Sequence, residues 1–86
     1  MDAIELRLAG IWYIYTGEDA SLHSQRRIKD FGLDSLDCVE LAIEIENEFS
    51  IDIKDGDEDG FDAMTFTDLV RFVRKASNPR GKNEQI

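Results

Sequence analysis

Gly32-Leu33-Asp34-Ser35-Leu36-Asp37-Cys38-Val39-Glu40-Leu41 begins a stretch that runs on through Ala42-Ile43-Glu44-Ile45-Glu46-Asn47-Glu48-Phe49. Its opening reads as a helix start. Asp34 has the short acceptor side chain of an N-cap. Asp37, three residues on, puts a carboxylate where the helix dipole favours one. At ~100° per residue, Cys38, Leu41, Ala42, Ile45 and Phe49 fall on one face, which is the core stripe. Leu36, Val39 and Ile43 fall nearly opposite. A helix in a small bundle does not easily bury two opposed faces, so the second stripe is expected to be partly exposed. Asp37, Glu40, Glu44 and Glu48 run beside it, with Glu46 on the far flank. An apolar centre with a charged rim is the composition of a transient protein interface.

Two further helices are predicted. The first begins at Asp2, with Glu5 completing a capping box. Ile4, Leu8, Ile11 and Tyr15 recur on one face, and Gly17 is placed to stop it. Trp12 and Tyr13, beside that stripe, are expected to pack on a loop rather than rim a cavity. The last helix opens at Thr65 with Asp68 as a second capping box, and Phe66, Leu69, Val70 and Val73 form its apolar face. The segment from Glu18 to about Leu33 has no clean period. Ile28 and Phe31 are expected to pin it to the core, with a turn at Gly32. A short helical turn is predicted near 58–64. The fold class is therefore all-α: a small antiparallel four-helix bundle of three long helices and one short one. One domain is expected over residues 1–76, followed by a mobile tail over 77–86.

Composition narrows the function. The chain has 86 residues, room for one small domain. Its 19 acidic residues against 10 basic ones give a net charge of −9, which repels nucleic acid and favours basic protein partners. One cysteine excludes an intramolecular disulfide, and one histidine, His23, leaves His-rich metal sites and most catalytic triads without members. No apolar run approaches the ~18 residues of a membrane span, and the acidic N-terminus lacks a secretory basic region. These features lead us to expect a cytoplasmic monomer. Cys38, on the core stripe, is expected to be inert, and an 86-residue bundle offers little concave pocket for catalysis. No enzymatic activity is expected.

The motif Gly-x-Asp-Ser-Leu-Asp-x-Val-Glu-Leu from Gly32 to Leu41, with Glu46-Asn47-Glu48-Phe49 and the spaced Ile51 and Ile53, resembles the prosthetic-group site of acyl carrier proteins. The likeness is close over about 28–53 and looser across the outer helices. It implies that Ser35 accepts 4′-phosphopantetheine from coenzyme A through a phosphodiester made by a separate phosphopantetheinyl transferase. The arm's thiol then holds acyl intermediates as thioesters. Partner enzymes of fatty-acid, lipid or polyketide-type synthesis, bearing basic docking patches, receive them. Within the resemblance, Asp34 and Leu36 flank the attachment site, and Asp34 also helps hold the transferase's metal. Asp37, Val39, Glu40, Ile43, Glu44, Glu46 and Glu48 fall on the partner-binding helix. Asn47 in an acidic position, the basic run Arg26-Arg27-Ile28-Lys29 and a short first loop without proline depart from the family's usual pattern. They point to a specialised rather than housekeeping member.

Two alternatives compete with this reading. A peptidyl or aminoacyl carrier shares arm and fold, but Asp34 and the acidic helix favour the acyl type. Asp55-Gly56-Asp57-Glu58-Asp59-Gly60 matches the first half of a calcium loop, yet Asp62 stands where an apolar residue belongs and Phe66 where a bidentate Glu belongs. Asp55, Asp57 and Asp59 remain candidate ligands for weak divalent binding only.

Overall fold

A computed structural model describes residues 2–53 and 60–77. Three α-helices carry the fold: α1 (Ala3–Thr16), α2 (Ser35–Phe49) and α3 (Phe66–Ala76). Two 3₁₀ turns, Ile28–Phe31 and Phe61–Ala63, lie between them. The described residues contain no strand, only an isolated bridge between Arg27 and Thr65.

Local chemistry sets the helix ends. Asp2 accepts the Glu5 amide at 2.9 Å, and the Glu5 carboxylate accepts the Asp2 amide in return. Gly17, at φ 75°, ends α1 in the left-handed conformation and donates its N–H to the Tyr13 carbonyl. Thr65 and Asp68 form the reciprocal box at the start of α3, at 3.0 and 3.1 Å. Ser50 ends α2 at φ 57°, a conformation that disfavours residues with a Cβ. Ser50→Gly is therefore expected to raise stability by about 0.5 kcal/mol, after allowing for glycine's greater unfolded-state freedom. A urea melt with an unchanged m-value would check this.

Side chains at opposite ends of the helices fix their directions. Arg7, near the start of α1, pairs with Glu48 at the end of α2 at 2.7 Å. Tyr15, at the end of α1, lies in the field of Asp37, Glu40 and Glu44 from the first two-thirds of α2. Arg74, at the end of α3, pairs with Asp2 and Glu5 at the start of α1. So α1 runs antiparallel to both α2 and α3.

The core gathers around α1. Leu8, Ile11 and Trp12 meet Leu41 and Ile45 of α2 and Phe66, Leu69, Val70 and Val73 of α3, with Ala20, Ile28 and Ile53 from the connections. Trp12 is fully buried. Its ring stands edge-on to Phe31 and to Phe66, each with centroids 5.4 Å apart. The long connection is held by the Arg27–Thr65 bridge, by the Ile28 amide on the Met64 carbonyl at 2.9 Å and by the Thr67 amide on the Ser24 carbonyl.

Two expectations change. The predicted short helix is a 3₁₀ turn over Phe61–Ala63, and positions 58 and 59 lie outside the described residues. Among the described residues there are thus three α-helices, and Met64 in extended backbone ends the short turn. Trp12 packs on the connection through Phe31 as expected, but from the centre of the core, while Tyr13 points outward. Apart from Ser77, the tail expected over 77–86 lies outside the described residues, as do Asp55, Asp57 and Asp59.

Candidate functional site

Ser35 is the first residue of α2 and is exposed. The turn before it is shaped by Gly32, at φ 78°, which closes the 3₁₀ turn in the left-handed region. Asp34 follows in extended backbone and accepts the Asp37 amide at 2.8 Å, satisfying one of the helix's open donors. The Asp34 side chain is committed to the cap, and the Ser35 hydroxyl has no hydrogen bond within the described residues. The serine is thus presented on a rigid helix start with its oxygen free.

A groove of about 710 Å³ lies beside it. Leu33, Cys38, Val39, Ala42, Ile43, Ile53 and Phe61 supply its apolar lining, and Lys29, Asp34, Glu46 and Asp62 its charges. Its outer wall depends on Glu46, whose carboxylate accepts the Ile53 amide at 2.8 Å and so draws the chain after α2 back along the helix. Glu46 is half-buried in that role. Sequence reading had placed it only on the docking flank; the missing signal was the return of the chain, which periodicity within α2 does not contain.

Leu36, Val39 and Ile43 are 63%, 53% and 48% exposed. The second apolar stripe of α2 is therefore open to solvent. Glu40 and Glu44 beside it are exposed and make no ion pair with the described residues. Asp37 is half-buried at the first turn. Glu48 sits apart, engaged by Arg7 through both its carboxylate and its carbonyl. Desolvation raises the Tyr15 phenol above its usual pKa, with Glu44, Glu40 and Asp37 adding to it. This side of α2 thus has a negative field. Burial also raises the Cys38 thiol, reinforced by Asp62, Asp37 and Asp34, so the thiolate is scarce at neutral pH. His23 lies 3.4 Å from the Glu18 carboxylate and edge-on to Phe31, with ring centroids 6.4 Å apart, and no second catalytic partner joins it among the described residues.

The residues around Ser35 suit a phosphodiester-linked arm. The Ser35 and Leu36 amides, in the first turn of α2, have no acceptor within the described residues, and such amides favour a phosphate. The adjoining groove is long on apolar surface, as a pantetheine or acyl segment requires. The described residues contain no group of three or more His, Cys, Asp or Glu arranged for a metal, and no helix long and apolar enough to cross a membrane.

Comparison with known proteins agrees with this geometry. The family profile described as "Phosphopantetheine attachment site" matches residues 7–73. The acyl carrier protein of Sinorhizobium fredii is 38% identical over 78 residues, covering 88% of this chain and 97% of that protein. No solved structure matches.

Proposed function

Since this chain belongs to the acyl carrier protein family, a family of carriers rather than catalysts built around a 4′-phosphopantetheine attachment site, we propose that Ser35 is the residue that takes the arm. The carrying observation is an exposed hydroxyl, free of hydrogen bonds to the described residues, on the first residue of a capped helix beside an apolar groove. Ser35 has no base of its own, so the phosphopantetheinyl transferase must deprotonate it. The hydroxyl oxygen attacks the β-phosphorus of coenzyme A, the phosphodiester forms, and 3′,5′-adenosine bisphosphate leaves. When bound, the arm supplies the thiol that holds the acyl group. The chain contributes a rigid attachment point, a groove and a docking face.

That docking face is the ridge of Leu36, Val39 and Ile43 with Asp37, Glu40 and Glu44 along its edge. Its partners are the transferase and acyl-transferring or synthase enzymes of fatty-acid, lipid or polyketide-type synthesis with basic patches. Incubation with coenzyme A, magnesium and a broad-specificity transferase tests the reading by intact mass and peptide mapping. One phosphopantetheine on the peptide containing Ser35 supports it, and a folded chain that gains no mass, or gains it elsewhere, refutes the site.

The ridge makes its own prediction. Glu40→Lys is expected to weaken binding of the transferase roughly tenfold at low salt, chiefly through a slower on-rate. The difference should shrink in high salt, because exposed charges are screened beyond ~10 Å at 0.1 M. Folding stability should move by less than about 0.5 kcal/mol, since Glu40 is exposed. Titration by calorimetry at two salt concentrations reads both effects, and equal affinities for the two proteins at low salt would remove the ridge from the interface.

A further inference from the structure

Lys29 is the cation among the described residues that line the groove beside Ser35. The other charged groups there, Asp34, Glu46 and Asp62, are all carboxylates. Two of the carboxylates have positions explained by other bonds: Asp34 caps α2 and Glu46 holds the Ile53 amide. Lys29 is exposed and makes no ion pair with any described carboxylate. Its backbone, by contrast, is fixed. It lies inside the 3₁₀ turn Ile28–Phe31, between fully buried Ile28 and the turn-closing Gly32. Of its neighbours, Arg26 donates to the Asp30 carbonyl and stacks on Phe31, while Arg27, whose backbone bridges to Thr65, does not line the groove. Of this basic run, Lys29 alone lines the groove.

We propose that Lys29 is a positioning residue for the arm, its ammonium pairing with the phosphodiester on Ser35. This rests on Ser35 being the attachment site. A phosphodiester brings a permanent negative charge to a place already edged by Asp34, Asp37 and Asp62. The free amides of Ser35 and Leu36 offset part of that cost, and a mobile ammonium on a fixed turn offsets more. A lysine suits the task as a compact point charge that needs no bidentate geometry. The pairing draws the root of the arm to the groove side of α2, leaving Glu40 and Glu44 free for partners. Because it is solvent-exposed, the pair is sensitive to salt.

The test is ³¹P NMR of fully loaded chains, purified by mass so that loading rate does not enter. Wild type, Lys29→Ala, Lys29→Glu and Lys29→Arg are compared with each chain's own value in denaturant. In the wild type the phosphodiester resonance is expected to be displaced from the denatured value. Lys29→Ala and Lys29→Glu should lose half or more of that displacement, and Lys29→Arg should retain most of it. Salt at 1 M should move the wild-type signal towards that of Lys29→Ala while leaving Lys29→Ala nearly still. Circular dichroism confirms that each variant is folded, and the alanine variant keeps the test decisive if the glutamate variant is not. Coincident resonances for wild type and Lys29→Ala, or a wild-type displacement indifferent to salt, overturn the proposal. A wild-type chain that takes no arm on Ser35 overturns the attachment site itself and is recognised beforehand, by mass.

Discussion

Trp12→Ala is expected to be strongly destabilising, by about 3–5 kcal/mol. Trp12 is fully buried and meets Phe31 and Phe66 edge-on, joining α1 to α3 and to the long connection. Truncating a buried tryptophan costs about 3–5 kcal/mol through lost transfer energy and the cavity left behind. At 0.05–0.15 kcal/mol per residue, a chain of this length has roughly 4–13 kcal/mol in all. The loss therefore runs from about a quarter of the total to nearly all of it. Trp12→Phe separates the causes. It keeps an aromatic ring near both partners and removes an indole N–H that is buried with no hydrogen-bond partner among the described residues. An unsatisfied donor of this kind costs about 1–3 kcal/mol, so the phenylalanine variant should lose much less stability than the alanine one. Thermal melts followed by far-ultraviolet circular dichroism measure both. A Trp12→Ala protein as stable as wild type would mean that the core does not depend on this residue.

Ser35→Ala should have the opposite profile: complete loss of arm attachment with the fold intact. The Asp34 cap remains in place, and the serine side chain forms no hydrogen bond within the described residues and is exposed. Alanine is also the best intrinsic helix former, so stability should stay within about 0.5 kcal/mol of wild type. Intact mass after exposure to transferase and coenzyme A reads the first effect and a denaturant melt the second. A variant that still gains one phosphopantetheine would move the attachment to another residue. A variant that no longer folds would show that Ser35 has a structural role its exposure does not reveal.

The difference between these two residues also shows where sequence is informative. Asp2 with Glu5, Asp34 with Asp37 and Thr65 with Asp68 are contacts between near neighbours, so their bonds follow from local spacing. The helix starts and the placement of Ser35 were legible for that reason. Both apolar stripes of α2 were legible too, because polar residues separate them. α1 offered less contrast. Leu6, Tyr13 and Ile14 face solvent while Leu8, Ile11 and Trp12 are buried, so apolar residues surround the axis: the stripe Ile4, Leu8, Ile11 and Tyr15 was legible, but the full burial of Trp12 beside it was not. The pairing of Arg74 with Asp2 depends on how the whole chain closes. So does the bond from Ile53 to Glu46, which depends on the turn at Ser50. The 3₁₀ turn at Ile28–Phe31 is too short to show a period, and only its two anchoring side chains were readable.

Trp12 is the only tryptophan in the chain, and its environment makes it an optical probe as well as a structural one. A sole indole shielded from water, with no hydrogen bond to a described residue, emits at short wavelength. Exposure on unfolding shifts that emission to the red, with no overlapping signal from a second indole. The protein therefore carries its own fluorophore at the junction of α1, α3 and the long connection. Core integrity can be followed at micromolar concentration without a label, in the same cuvette in which the arm is attached or a partner is added.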